Sequence, residues 1–239
     1  MTAGARNEAT TAGETVAILL AAGSSVRMGE IDKLWADLDG APVIAYSIRQ
    51  LADAPGVDRL VIVAPRARHA DLAELTPSGS DAHCIEGGAR RQDSVAAGIA
   101  YAPEAAWYLV HDGARPFVSS ALLARVLEAA RETGAAVPGA AVTDTIKRVD
   151  DSRRVEETLD RASLRSIQTP QAFAGPLLRR AHEQSHGDVT DDAAMLEALG
   201  ELIVVVDGEH MNLKLTTPAD LEVARALLAA RGRIETGEA

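Results

Sequence analysis

Residue types that handle phosphate recur in this chain where an apolar run has just ended. The first cluster is Gly23-Ser24-Ser25-Val26-Arg27-Met28-Gly29, followed by Lys33. Small residues after a buried strand let backbone N–H groups approach a phosphate closely. Arg27 and Lys33 add the positive charge needed when a phosphoryl oxygen gains negative charge in a transition state. The loop is not a Walker A motif, because Glu30-Ile31 stand where Lys-Ser/Thr belong, and Ser25 breaks the G-x-G-x-x-G pattern. Taken alone it reads equally as a Gly-Ser turn with two surface cations. The second cluster is Glu86-Gly87-Gly88-Ala89-Arg90-Arg91-Gln92-Asp93-Ser94. Its glycines suit backbone contact with a ligand and Ser94 suits a base edge, although a flexible turn before a capped helix accounts for them more simply. The third is His111-Asp112-Gly113-Ala114-Arg115-Pro116. A carboxylate at a strand end can hold Mg²⁺ against phosphate oxygens, and Arg115 could grip a second phosphate in bidentate fashion. An Asp that orders its own turn is the alternative, but an apolar strand emptying directly into Asp favours function. The fourth is Asn212-Leu213-Lys214-Leu215-Thr216, where Lys214 points away from the side that its apolar neighbours face. A solvated strand lysine would look the same.

One further match is set aside. His182-Glu183-Gln184-Ser185-His186 fits H-E-x-x-H, which would put two histidines on one helix face for zinc. The stretch is short and polar, ends at Gly187, and has no obvious third ligand. It reads as a chance match on a surface helix.

The elements that must carry these clusters alternate. Val16–Leu20 is a continuous apolar run that suits a buried parallel strand. Pro42–Ala52 reads as a helix, Leu60–Val63 as a strand stopped by Pro65, and His83–Ile85 as a short strand. Arg91–Tyr101 has helical spacing, Trp107–Val110 is a strand, Ser119–Glu132 an amphipathic helix with a Ser N-cap, and Ala135–Val142 a strand of small residues. This order argues for a doubly wound, mostly parallel sheet, in which ligands bind at the carboxyl ends of the strands. Residues 143–170 are charged and alternating, and fit either a solvated loop or a β-arm projecting from the sheet. Thr190-Asp191-Asp192 opens a helix through Leu199, Leu202–Val206 is a strand, and Thr217-Pro218-Ala219-Asp220 leads a helix to about Ala230. We expect one domain over 15–232, a disordered tail over 1–14 and a C-terminal tail over 233–239.

Composition narrows the class. With 239 residues, 47% of them apolar and only 3% aromatic, the core must be aliphatic. A net charge of −11 disfavours non-specific nucleic-acid binding but leaves room for a phosphorylated small molecule. The single Cys84 excludes an intramolecular disulfide. No membrane span or secretory signal is apparent, so the cytoplasm is the expected location.

Taken in order, the clusters resemble the cytidylyltransferases that act on 2-C-methyl-D-erythritol 4-phosphate in the non-mevalonate isoprenoid pathway. The resemblance covers roughly residues 16–230. It rests on Ala21-Ala22-Gly23 with Arg27-Met28, Lys33, Gly87-Gly88, Asp93-Ser94-Val95 and His111 to Pro116. It continues through Asp144-Thr145-Ile146-Lys147, Asp160-Arg161, Gln168-Thr169-Pro170-Gln171 with Phe173, Thr190-Asp191-Asp192 and Asn212-Leu213-Lys214. It implies a Rossmann-like sheet and a homodimer joined through an arm spanning about 143–165. It implies CTP held by Ala21, Ala22, Gly23, Ser24, Arg27 and Lys33, with the base near Gly88, Ala89 and Ser94 and Mg²⁺ beside Asp112. Arg27 and Lys33 would stabilise charge at the α-phosphate. Asp112, Arg115 and Lys214 would position the polyol phosphate, with Thr145 and Arg161 offered by the second copy's arm. The acceptor phosphate would attack the α-phosphorus in line and expel pyrophosphate. It needs no protein base, because a phosphate monoester is already ionised at neutral pH. Three positions depart from the family pattern: Ser25 replaces a usual Gly, Ala89 stands where an acidic residue can occur, and Met211 stands where some members have Asp. A ribitol 5-phosphate cytidylyltransferase and a non-catalytic nucleotide-binding protein remain as alternatives, the second disfavoured by the pairing of Arg27 with Lys33.

Overall fold

The computed structural model describes residues 13–23, 32–185 and 187–236, with side chains described as far as residue 230. In chain order, β1 (Thr15–Leu20) is followed by the small ladder of β2 (Asp37–Leu38) and β3 (Ala41–Pro42), then α1 (Val43–Ala52) and β4 (Arg59–Ala64). Next come α2 (His69–Leu75), β5 (Ala82–Glu86), α3 (Arg91–Tyr101), β6 (Trp107–Asp112), α4 (Ser120–Thr133) and β7 (Ala135–Ala141). The hairpin β8 (Lys147–Val149) and β9 (Val155–Thr158) precedes β10 (Arg165–Ile167), β11 (Gln171–Ala174) and α5 (Gly175–Gln184). The chain ends in α6 (Asp192–Ala198), β12 (Val204–Asp207) and α7 (Pro218–Thr236).

An 8-stranded sheet organises these elements. β1 lies between β4 and β6, parallel to both, and β5 lies parallel on the outer side of β4. β11 runs antiparallel between β6 and β7, β10 pairs β7 antiparallel further along, and β12 runs parallel to β7 over Ala136–Gly139. The strand order reverses between β1 and β6, which fixes where a ligand cleft can open. Burial explains the unbroken apolar runs. Ala17 and Leu19 pack on one face with Ile44, Ile48, Leu72 and Leu122, and Val16 and Ile18 pack on the other with Val95, Ile99, Leu178 and Leu196. Each buried Val, Leu or Ile among them contributes roughly 1.5–3 kcal/mol on removal from water. A third cluster holds the N-terminal half of α7 through Leu215, Leu221 and Ala224 against Leu38 and Phe117.

Several expectations need adjusting. Glu14 belongs to the folded part, because its carbonyl accepts from Ala106 and Trp107 N–H and its carboxylate pairs with Arg59 at 3.1 Å. The last helix continues to Thr236, beyond the boundary expected at 232. Within 143–165, where an arm is expected, lies the β8–β9 hairpin, a separate two-stranded sheet whose strand residues are all exposed. Strand β11 was not expected, since its four residues follow Pro170 and give no alternation to read, yet Phe173 is fully buried. Among the described residues, no helix is long and apolar enough to cross a membrane.

Candidate active site

The chain beyond β1 stays paired to the sheet, with Ala21 N–H donating to the Val63 carbonyl at 2.8 Å. This holds Ala22 and Gly23 against the glycine loop after β5. A Cβ on Gly87 would lie 2.5 Å from the Ala22 Cβ, so the two loops meet only because residue 87 has no side chain. Gly113, just past β6, donates to the Leu20 carbonyl at 3.0 Å, and a Cβ there would stand 2.8 Å from that same oxygen. These contacts leave a cleft of about 300 Å³ at the carboxyl ends of β1, β5 and β6. Ala22, Gly23, Lys33, Gly88, Ala89, Ser94, Asp112 and Lys214, all named from the sequence, line it. Ser94 is partly committed elsewhere. Its hydroxyl oxygen accepts from Gly88 N–H at 3.2 Å and so pins the glycine loop.

Asp112 is the electrostatic centre. Lys214 Nζ lies 2.7 Å from its Oδ2 and Arg91 Nε lies 3.5 Å from its Oδ1. Burial alone would push the Asp112 pKa up, but Lys214, Arg91 and Arg115 more than reverse this and hold it well below the usual carboxylate range. The group is therefore ionised at neutral pH.

Behind it runs a chain of hydrogen bonds with a fixed direction. His111 Nε2 faces the Arg115 carbonyl at 3.2 Å, so that nitrogen carries the proton. Nδ1 then accepts from the Thr169 hydroxyl at 3.1 Å, and Thr169 Oγ1 accepts from Asp112 N–H at 3.0 Å. Burial of the ring pushes the His111 pKa down to about 4, which keeps it neutral. The link between β10 and β11 thus fixes the end of β6.

From sequence, Arg115 is expected to grip a phosphate. The fold gives it other work. It is buried, is not among the cleft-lining residues, and donates from Nη1 to the Asn212 carbonyl at 2.7 Å. The reason is that the turn after β6 folds back on the segment before α7, where Leu215 N–H donates to the Ala114 carbonyl at 2.8 Å. Asn212 in turn donates from Nδ2 to the Thr169 carbonyl at 2.8 Å. Arg115 and Asn212 therefore brace the segment that presents Lys214.

Thr145 and Arg161 are exposed and stand apart from this cleft, and Arg161 donates to the Thr143 carbonyl. Ser24, Ser25 and Arg27 lie outside the described residues. Met211 is exposed and is not part of the lining.

Arg91, which borders the cleft, and Asp192, which lies behind it, were missed. Arg91 lines the cleft and donates from Nη1 to Asp192 Oδ2 at 2.6 Å. The Gly-Gly-x-Arg-Arg spacing was the available signal, as was the Asp191-Asp192 pair, in which only Asp191 is needed to cap α6. The histidine motif is also corrected in part. His182 is not a surface residue: its side chain is 10% exposed and its Nε2 lies 3.3 Å from Asp192 Oδ1. His186 lies outside the described residues, and among the described residues no group of His, Cys, Asp and Glu could hold a metal by itself.

A doubly wound sheet that gathers backbone glycines, two lysines and one ionised carboxylate at its switch point has the architecture of a nucleotidyltransferase. Residues 15–230 match the family described as IspD, 2-C-methyl-D-erythritol 4-phosphate cytidylyltransferase. The chain is 42% identical over 218 residues to the enzyme of that name from Rhodococcus jostii, covering 90% of this chain and 96% of that one. It is 40% identical over 232 residues to the Nocardia farcinica enzyme, covering 95% and 100%. Its fold is similar to the crystal structure of 4-diphosphocytidyl-2C-methyl-D-erythritol synthase from Anaerococcus prevotii, with a TM-score of 0.82, 30% identity and coverage of 90% of this chain and 96% of that one. The chain belongs to the 2-C-methyl-D-erythritol 4-phosphate cytidylyltransferase family. It is a transferase that moves the cytidylyl group of CTP to 2-C-methyl-D-erythritol 4-phosphate, a step of isoprenoid precursor synthesis.

Proposed function

We propose that CTP lies across the switch-point cleft with its triphosphate along Ala21, Ala22, Gly23 and the following Ser24 to Arg27 segment. The base lies against the backbone of Gly88 and Ala89, beside Ser94. Lys33 and Arg27 stabilise the charge that develops on the α-phosphate. Lys214 holds the acceptor phosphate for in-line attack, and pyrophosphate leaves toward the Gly23 loop. The acceptor arrives ionised, so positioning and electrostatics carry the reaction without a general base.

A divalent cation, Mg²⁺ in our reading, fits beside Asp112. The carboxylate is ionised, and its Oδ1 edge is less tightly engaged than Oδ2, at 3.5 Å against 2.7 Å. One protein carboxylate completed by substrate phosphates is an ordinary way to hold Mg²⁺. When bound, the ion would neutralise phosphate oxygens. We further propose that Thr145 and Arg161 reach the acceptor from a second copy of the chain in a dimer joined through the β8–β9 arm. The supporting facts are that the hairpin is wholly exposed and that neither residue meets its own chain's cleft.

The observation that carries this reading is convergence. Lys33, Gly88, Asp112 and Lys214 come from widely separated parts of the chain and line one cleft of about 300 Å³. The test is pyrophosphate release from CTP with methylerythritol 4-phosphate or ribitol 5-phosphate as acceptor, run on wild type and Lys33→Ala. We expect turnover with the methylerythritol ester, and a kcat about 10²–10³-fold lower in the variant with CTP still bound. Near-normal kcat in the variant would remove Lys33 from the chemistry.

A further inference from the structure

Asp192 is fully buried, yet no residue of α6 lines the cleft. A buried carboxylate is costly unless it is paired and hydrogen-bonded. Asp192 has Arg91 Nη1 at 2.6 Å on one oxygen and His182 Nε2 at 3.3 Å on the other. The same Arg91 guanidinium reaches Asp112 only through Nε, at 3.5 Å, the outer limit of a hydrogen bond. It is therefore drawn to Asp192 and only loosely engaged with Asp112. Burial disfavours the charge on Arg91, but Asp192 first and Asp112 second more than offset that cost, so the guanidinium stays charged.

Asp112 already has one close cation, since Lys214 occupies its Oδ2 side at 2.7 Å. A second cation in close contact would take the other edge as well. We propose that Asp192 is a positioning residue for cytidylyl transfer: by holding the Arg91 guanidinium off Asp112, it keeps the Oδ1 edge of Asp112 open to the substrate complex. The inference rests on the reading of the cleft given above. Without the charge on Asp192, Arg91 remains a half-buried cation whose nearest anion is Asp112. It then closes on that carboxylate through a charge-assisted hydrogen bond.

The experiment uses Asp192→Asn, which keeps the side-chain shape and removes its charge, with Mn²⁺ binding to the CTP complex followed by electron paramagnetic resonance alongside steady-state kinetics. Asp192→Asn should weaken Mn²⁺ binding and lower kcat/KM for the acceptor about tenfold or more. Adding Arg91→Gln removes the closing cation, so the double variant should recover Mn²⁺ binding to within about threefold of wild type. Should Asp192→Asn unfold at the assay temperature, Arg91→Gln and the double variant replace it. Both should bind Mn²⁺ like wild type, and weaker binding in a folded sample of either overturns the proposal. A folded Asp192→Asn with unchanged Mn²⁺ binding and kinetics overturns it too, as does a loss of Mn²⁺ binding that Arg91→Gln does not reverse. Asp112→Asn separates the two levels. If it abolishes Mn²⁺ binding while the Asp192 variants leave it untouched, the cleft reading stands and the role of Asp192 falls. If Asp112→Asn leaves Mn²⁺ binding intact, the cleft reading fails and takes this inference with it.

Discussion

Around Asp112 the polar groups are held in a network that crosses the whole chain, whereas along the β8–β9 hairpin they pair only with near neighbours in solvent. Asp112, His111, Thr169, Asn212 and Arg115 are all buried and linked in series. On the hairpin, Arg148 meets Glu157 at 2.6 Å with both side chains more than half exposed. Such exposed pairs are worth at most about 1 kcal/mol, while removing one member of a buried pair costs about 3–5 kcal/mol. One region is thus preorganised by its own chain. The other is held only by exposed pairs between near neighbours of its own chain. That contrast fits a site of which one part is built in advance and the other is fixed only when a second copy meets it.

The largest effect should come at the edge of the preorganised part. Lys214→Ala should lower kcat/KM about 10²–10³-fold with little change in melting temperature, because its side chain is 41% exposed and stabilises charge rather than structure. A loss smaller than tenfold in steady-state assays would make Lys214 a counter-ion for Asp112 and nothing more. Next is Arg115→Ala, which should cost about 3 kcal/mol in urea unfolding, since it removes the brace to Asn212 and strips Asp112 of a nearby positive charge. Arg148→Ala on the hairpin should cost less than about 1 kcal/mol in the same measurement. Equal costs at the two positions would erase the distinction between the regions.

A pH experiment sharpens the comparison further. The His111 pKa falls from 6.5 to about 4 on folding, so the unfolded chain takes up that proton first as pH drops. The stabilisation from neutral His111 is therefore complete above about pH 6.5 and is lost as pH falls toward 4, roughly 3 kcal/mol in all. Imidazole nitrogen shifts should show His111 as the Nε2–H tautomer, unchanged from pH 8 to about 5. A midpoint near 6.5 would mean that the ring is not sealed behind Asp112.

Much of this was legible in the sequence because the central strands are buried on both faces and so read as unbroken apolar runs. Val16–Leu19 and Trp107–Val110 are such runs, and the catalytic candidates follow directly after them. Family motifs then pointed to Gly88, Asp112 and Lys214, which do line one cleft. What could not be read was long-range pairing. Whether Arg115 meets a ligand or the Asn212 carbonyl depends on how the turn after β6 packs on a segment nearly a hundred residues later. Asp192 read only as part of a helix start, because nothing local reveals that it turns inward to Arg91. His182 likewise drew notice through its spacing with His186, when the relevant neighbour was Asp192.

Subunit mixing tests most directly whether the site needs both kinds of region. Lys33→Ala and Arg161→Ala, each inactive as purified, are combined in equal amounts, allowed to exchange, and assayed for pyrophosphate release. If Lys33 acts in its own chain's cleft and Arg161 in the second copy's, each mixed dimer holds one intact site, and random exchange restores about a quarter of wild-type activity. Activity that stays at the mean of the two separate variants, with exchange confirmed by mass, would contradict this account and place the whole site within one chain.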